Sequence, residues 1–277
     1  YKSKYPIKRN LIMLTLFHYD RTSAAQRVRL CLEEKSIPWE SIIVDTALGD
    51  IDQLPKNFYE LNPKGLVPVI IDDNLAIPES LVIIEYLEER YGGDPKLKPS
   101  RPEDLAQMRL WMRKIDEGIH VASRTIGVCL VNRHIYKKKD PGQIKKYYKE
   151  MKDKVRKKND QINIEMGIES PLLEEAMIEF KSLFLEMNEY LGKNTWLAGD
   201  KYSLADISFV VYLHRLDSFM MRPLWKDLKN LDQWYEKIKT RPAYKKAIYD
   251  WGDVTADQRA QNGKDAYPKI KEYWDKA

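Results

Sequence analysis

Residues 62–80 read NPKGLVPVIIDDNLAIPES. Asn62-Pro63-Lys64-Gly65 is a turn signal, because Pro and Gly punctuate regular structure. Val67–Ile71, interrupted by Pro68, and Leu75–Ile77 are short apolar runs rich in β-branched residues. Asp72-Asp73-Asn74 between them suits a hairpin loop. Pro78 then precedes an amphipathic helix over Glu79–Tyr91, with Leu81, Ile84 and Leu87 on one stripe. Gly92, Gly93 and Pro95 end it. The stretch therefore predicts a β-hairpin feeding directly into a helix.

Upstream, Leu11–Phe17 is an apolar run that suits a buried strand. Ser23 follows, then a helical pattern over Ala24–Lys35. There Val28, Leu30, Cys31 and Leu32 supply apolar surface, and Arg27, Arg29, Glu33 and Glu34 are read as the wet face. Ser36–Pro38 breaks the helix, and Trp39–Val44 is a second strand. Gln53–Tyr59 is polar with weak helical character. The first part of the chain is thus β-α-β followed by hairpin and helix. Downstream, Pro95–Pro102 reads as a linker, and everything beyond it has a helical pattern. Pro102–His134 is expected as one long helix, Pro171–Tyr190 as another, and Leu231–Ile238 and Ala243–Trp251 as two more. Ser203-Leu204-Ala205-Asp206 has the spacing of a capping box. The expected organisation is an arm at 1–10, an α/β domain at 11–91, a linker at 92–101, an all-α domain at 102–250 with an irregular insert near 131–170, and a polar tail at 251–277.

The 277 residues are enough for about two domains, and 43% hydrophobic with 32% charged residues is ordinary for a globular chain. No apolar run approaches the roughly 20 residues that cross a bilayer, so no membrane association is expected. Two cysteines, Cys31 and Cys129, exclude a disulfide scaffold and a multi-cysteine zinc site. The four histidines, His18, His120, His134 and His214, show no metal-binding spacing, so no metal is expected. Net charge is +5, but residues 131–160 alone carry 12 Lys/Arg against 4 Asp/Glu. A nucleic-acid binder shows a broader basic footprint, so no nucleic-acid partner is expected. The run Lys137–Lys139, Lys145, Lys146, Lys149 reads as a solvated helical face, with a basic rim that attracts anions as the functional alternative. Tyr1–Asn10 lacks the apolar core of a secretory signal, which makes a cytoplasmic location the expectation.

The ordered set β-α-β, then Asn62-Pro63-Lys64-Gly65-Leu66-Val67-Pro68, then Pro78-Glu79-Ser80 at a helix start, then Ser203–Asp206 as a cap, resembles the cytosolic glutathione transferases across roughly residues 11 to 250. The resemblance implies an α+β chain: an N-terminal thioredoxin-like α/β domain followed by an all-α helical-bundle domain. Within that family, Met108-Arg109-Leu110-Trp111, Ile115-Asp116-Glu117 and Thr125-Ile126-Gly127 look like the bacterial β-aryl etherases, as does the basic insert.

The resemblance implies glutathione as cosubstrate, with its thiolate as nucleophile. A hydroxyl donated to sulfur and the N-terminus of a helix both favour that anion. Ser23 matches the activating position of the serine-type members, and Thr22, one residue earlier, matches the serine of other branches. A plain helix cap is the alternative role for Ser23. Tyr19 lies too near the helix to match the tyrosine-type branches and is kept with the second-substrate residues. No Cys stands at 22 or 23, and Cys31 and Cys129 read as small buried hydrophobes. Pro68 is expected to be cis, which lets Val67 pair its backbone with the cysteinyl part of glutathione. Ser80 and its helix start suit the γ-glutamyl carboxylate, and Glu79 the γ-glutamyl ammonium. Gln53 and Lys64 are expected at the glycyl end, with a solvated turn as the other reading of Lys64. Ile115, Ile119 and His120, one helical turn or so apart, are expected to face the second substrate between the domains. A satisfied core or surface histidine is the alternative for His120.

Two readings remain open on the sequence. The first is a glutathione transferase that displaces a leaving group from a small aromatic or otherwise apolar electrophile, including lignin-derived β-aryl ethers. The second is a non-catalytic ligand-binding or interaction protein on the same fold, since fold does not fix function. A homodimer is expected from the family.

Overall fold

The computed structural model describes residues 13–44, 58–252 and 255–277. The arm at 1–10 and Gln53 lie outside the described residues.

The chain forms two compact units, Tyr1–Leu97 with Arg241–Gly252, and Lys98–Thr240 with Asp253–Ala277. In the first, β1 (Leu14–His18), α1 (Ser23–Glu34) and β2 (Trp39–Ile43) form the β-α-β unit, followed by a one-turn helix α2 (Phe58–Leu61), β3 (Val69–Asp72), β4 (Leu75–Pro78) and α3 (Ser80–Tyr91). The strand order is β2-β1-β3-β4. β1 runs parallel to β2, with Phe17 opposite Ile42, and antiparallel to β3, with Phe17 opposite Val69. β3 and β4 close the hairpin at Asp72 and Leu75. Asp73 turns it with a φ of 55°, a conformation that Asp tolerates better than most residues. Phe17, Val44, Phe58 and Val69 form the core of one sheet face. Buried Asp72 accepts from the Tyr86 hydroxyl at 2.8 Å and the Tyr91 hydroxyl at 3.0 Å, pinning α3 to the hairpin.

Two departures from the sequence reading concern this unit. Arg27 and Arg29, read as wet, are 1% and 0% exposed. The helix α12 (Pro242–Ile248), read as part of the all-α domain, packs against α1 and belongs here. The two corrections have one cause, because α12 covers the side of α1 that a single-faced amphipathic reading leaves to water. Arg29 satisfies its guanidinium internally, donating to the carbonyl of Ala247 at 2.8 Å, the carbonyl of Asp20 at 2.8 Å and His18 Nδ1 at 3.1 Å. Glu34 takes both nitrogens of the Arg241 fork, at 2.6 and 2.7 Å. The 92–97 stretch is fastened too: Lys35 Nζ holds Glu88 at 2.5 Å and the Pro95 carbonyl at 3.1 Å, and Glu88 accepts the Leu97 N–H at 3.0 Å.

The second unit contains α4 (Pro102–Lys114), α5 (His120–Gly127), α6 (Arg133–Tyr136), α7 (Pro141–Glu150), α8 (Lys154–Met166), α9 (Pro171–Leu191), α10 (Leu204–Ser218), α11 (Lys229–Lys239) and α13 (Ala256–Lys276). The single long helix expected over 102–134 is a continuous helical path interrupted by two π-helical turns, Ile115–Ile119 and Val128–Asn132, with a kink at Gly118. The insert is more ordered than its composition suggests. Asp140 and Asp153 cap α7 and α8 by accepting the N–H of Gln143 and Arg156. Asp160 is buried and pairs with Arg124. The polar tail is also a helix. Ala266, Ile270, Tyr273 and Trp274 of α13 are buried at helical spacing, and Tyr273 donates to the Ile168 carbonyl at 3.1 Å. Gly263 and Pro268 disguise this helix in the sequence as a broken one. Gly263 is required by close approach, since a Cβ there would lie 1.9 Å from the Phe219 carbonyl oxygen. The capping box at Ser203 forms as expected, with Ala205 N–H on Ser203 Oγ and Asp206 returning to Ser203 N–H at 2.9 Å. No helix among the described residues is long and apolar enough to cross a membrane.

Candidate functional site

The β1–α1 turn sets the first part of the site. Thr22 adopts an extended conformation and caps α1, accepting the Ala25 N–H at 3.3 Å. Its own N–H and hydroxyl both reach back to the Tyr19 carbonyl at 3.3 Å. Thr22 thus spends its side chain on the turn. Ser23 is the first helical residue, 4% exposed, and its Oγ has no hydrogen-bond partner among the described residues. A buried hydroxyl without a partner costs about 1–3 kcal/mol, so it calls for a ligand or a functional reason. The N-cap of α1 is Thr22, and Ser23 follows it as the first helical residue. No acidic residue occupies the first turn of α1, so the positive end of its dipole is uncompensated there.

The turn before β3 sets the second part. Buried Asn62 donates to the Leu66 carbonyl at 2.8 Å and accepts the Lys64 N–H at 3.0 Å. Gly65 takes φ 64°, and a Cβ there would lie 2.7 Å from the Tyr59 ring. These constraints shape the turn that leads into Pro68, and the Val67–Pro68 bond is cis. The β3 ladder begins at Val69, so Val67 stands just outside the sheet pairing among the described residues.

The start of α3 is the third part. Glu79 precedes it with φ 70°, unusual for a residue with a side chain and worth roughly 1–3 kcal/mol of local strain. No side chain caps α3 and no acidic residue lies in its first turn. Its free N–H groups are suited to an anionic ligand. Ser80 is half-buried, and its Oγ accepts from Arg27 Nη1 at 2.6 Å. Lys64 and Glu79, expected at opposite ends of glutathione, form an exposed ion pair at 2.7 Å.

Not every expected residue takes the place foreseen for it. Tyr19 is buried, its ring 4.8 Å beneath the Arg21 guanidinium, so it packs the turn instead of presenting a ligand surface. In the second unit, Ile115 and Ile119 are buried within the first π-helical turn as core residues. His120 is exposed, and its Nδ1 lies 3.1 Å from the Tyr212 hydroxyl. Cys31 and Cys129 are buried free thiols. Burial raises both, Cys129 to about 12, so neither is a thiolate at neutral pH. Among the described residues no group of His, Cys, Asp and Glu could hold a metal.

The sequence reading missed the buried support beneath the β1–α1 turn. His18 is buried between Trp39 and Trp251 and accepts from Arg29, with Ser41 Oγ 2.9 Å from its other nitrogen. This arrangement fixes the neutral ring with its proton on Nε2. Burial, with the Arg29 charge beside it, lowers the histidine to about 3, and burial lowers Arg29 to about 10. The alternating Arg27-Val28-Arg29 was visible in the sequence, but nothing local marked its guanidinium groups as internal.

The glutathione S-transferase N-terminal domain model matches residues 16–95, and the C-terminal domain model of the same family matches 121–242. The chain belongs to the glutathione S-transferase family. Members use glutathione as cosubstrate and bind hydrophobic second substrates, and the three parts of the site above are where the N-terminal domain model lies. Glutathione S-transferase GstB of Escherichia coli strain K12 is 27% identical over 241 residues, covering 85% of this chain and 98% of its own. FtsZ-localized protein A of Caulobacter vibrioides is 27% identical over 245 residues, covering 85% and 91%. Among solved structures, the β-etherase LigF from Sphingobium sp. strain SYK-6 superposes with a TM-score of 0.76 at 24% identity, covering 86% of this chain and 99% of its own. At that identity the likeness is one of fold.

Proposed function

We propose that this protein is a glutathione transferase in which Ser23 stabilises the glutathione thiolate for displacement at an aromatic electrophile. The observation that carries the reading is the division of labour at the α1 start: Thr22 caps the helix, and the buried Ser23 Oγ has no partner among the described residues. A hydroxyl so placed can donate to a sulfur anion, and the α1 dipole adds to the same preference. Val67 offers its backbone to the cysteinyl unit, and the α3 N-terminus with Ser80 takes the γ-glutamyl carboxylate. Glu79 takes the ammonium, and Lys64 with Gln53 takes the glycyl end. The Lys64–Glu79 pair exchanges its internal partner for the two charged ends of the ligand.

The proposed substrate class is the β-aryl ether of an aryl ketone. The thiolate attacks the carbon next to the carbonyl, a C–S bond forms, and the C–O bond breaks. The phenoxide leaves with the bonding pair and takes its proton from water. In-line displacement inverts that carbon. The fold likeness to LigF and the helix 102–134 motifs support this class, and His120 is the polar residue proposed beside the second substrate. A homodimer in the cytoplasm completes the reading. The test is phenol release from a β-aryl ether ketone with and without glutathione, for the native protein and for Ser23→Ala. Glutathione-dependent release that Ser23→Ala abolishes is expected. Release that is equal in both proteins would remove Ser23 from the mechanism.

A second reading, a glutathione-transferase fold used for interaction, draws on the similarity to a relative named for its FtsZ localisation. It predicts no turnover of any aryl electrophile and no effect of Ser23→Ala on the activity of the protein.

A further inference from the structure

Arg27 stands four residues after Ser23, on the same face of α1. It is 1% exposed, and its Nη1 lies 2.6 Å from the Ser80 hydroxyl oxygen, 53 residues away. A guanidinium has donors only, so in this contact Ser80 Oγ is the acceptor. A serine hydroxyl has one O–H and two lone pairs. With Arg27 occupying one lone pair, the O–H is turned away from the guanidinium, and it has no acceptor among the described residues. Ser80 is the first residue of α3, where no side chain caps the N–H groups and no acid lies in the first turn, Glu79 standing just before it. The oriented O–H and the free N–H groups therefore converge on a single class of ligand, a carboxylate.

We propose that Arg27 is the positioning residue of the γ-glutamyl carboxylate site, acting through Ser80 and tying the carboxylate end of glutathione to the helix that carries Ser23. The inference rests on the proposed function and adds to it a link between the two ends of the ligand. A neutral hydroxyl free to rotate offers the carboxylate a donor only part of the time. One whose lone pair is held by a buried cation offers it continuously, and charge-assisted hydrogen bonds of this kind are the stronger ones.

The test compares glutathione with its analogue in which the γ-glutamyl α-carboxylate is an amide, using the native protein, Arg27→Gln, Ser80→Ala and the double variant. For Arg27→Gln the KM for glutathione is expected to rise about tenfold, the equivalent of roughly 1.4 kcal/mol, with a much smaller change in kcat. The preference for glutathione over the amide is expected to shrink by a similar factor. The double variant is expected to be no worse than Ser80→Ala alone, because Arg27 acts through that hydroxyl. Additive losses, or an unchanged preference for the carboxylate in Arg27→Gln, would overturn the proposal. Arg27→Lys, which keeps the charge but shortens the reach, is read in the same way if the glutamine variant does not fold. In the native protein, the Arg27 side-chain nitrogen resonances are expected to shift with glutathione and not with the amide, and identical responses to both would also overturn it. Failure of the native protein to bind glutathione in calorimetry would instead overturn the functional reading itself.

Discussion

Arg241 grips Glu34 with two parallel hydrogen bonds of 2.6 and 2.7 Å across 207 residues of sequence. A fork-to-carboxylate pair fixes direction as well as distance, and the Glu34 side chain is almost fully buried beneath it. Replacing Arg241 by Ala strands a buried carboxylate, whereas replacing both partners by apolar residues of similar size does not. Arg241→Ala is expected to lower the stability of the first unit by about 1–3 kcal/mol, with the double replacement milder. Urea unfolding of both variants checks this.

Thr22 and Ser23 should separate in a pair of single substitutions. Thr22→Ala removes the α1 cap and is expected to cost about 1 kcal/mol of stability while leaving most of the turnover. Ser23→Ala removes a hydroxyl that has no partner among the described residues, and is expected to leave stability nearly intact while abolishing most of the turnover. Thermal melts and initial rates on the same preparations decide it, and the opposite pattern would assign the activating role to Thr22.

His18 makes stability depend on pH. Its folded-state value of about 3 lies below the 6.5 of an exposed histidine, chiefly through burial. Above pH 6.5 neither state binds the proton and nothing is lost. As the pH falls from 6.5 toward 3, the unfolded chain takes up a proton that the folded one refuses, and stability declines by up to about 1.4 kcal/mol per pH unit. His18→Asn is expected to flatten this contribution. Chemical unfolding at a series of pH values between 7 and 4 gives the slope directly.

Asp206 is the buried acceptor of the second unit, taking the Leu197 N–H at 3.0 Å, the Ser203 N–H at 2.9 Å and the Trp234 indole N–H at 2.8 Å. Asp206→Ala orphans all three donors at once and is expected to cost about 3 kcal/mol or more. Asp206→Asn, which keeps an acceptor oxygen, should retain part of that. Calorimetric melting of the two variants ranks them.

What could be read from the sequence was local. Asn62–Gly65, Pro68, Pro78 and the Ser203–Asp206 box announced themselves because turns and caps depend on residues within a few positions of one another. The burial of Arg27 and Arg29 could not be read in this way. Periodicity assigns a helix one wet face, and the segment that covers it, Pro242–Ile248, is distant in sequence. The same limit hid Asp160, whose partner Arg124 lies on another helix, and let the lysines around it define the insert. For the site, the residue types and their order suggested candidates, but not the relation between them. Thr22 capping and Ser23 free, or Lys64 paired with Glu79, are facts of geometry that neighbouring letters do not encode.

The first unit is built from both ends of a long stretch of chain, since Arg241–Gly252 completes what residues 13–97 begin. A ribosome therefore delivers this unit in two instalments. When Leu97 emerges, Arg29 has His18 and Asp20 to hold but not Ala247, and Glu34 waits for its arginine. The intervening helices must be synthesised before the last contacts can close, so the first unit is completed only after residues 98–240 have been made.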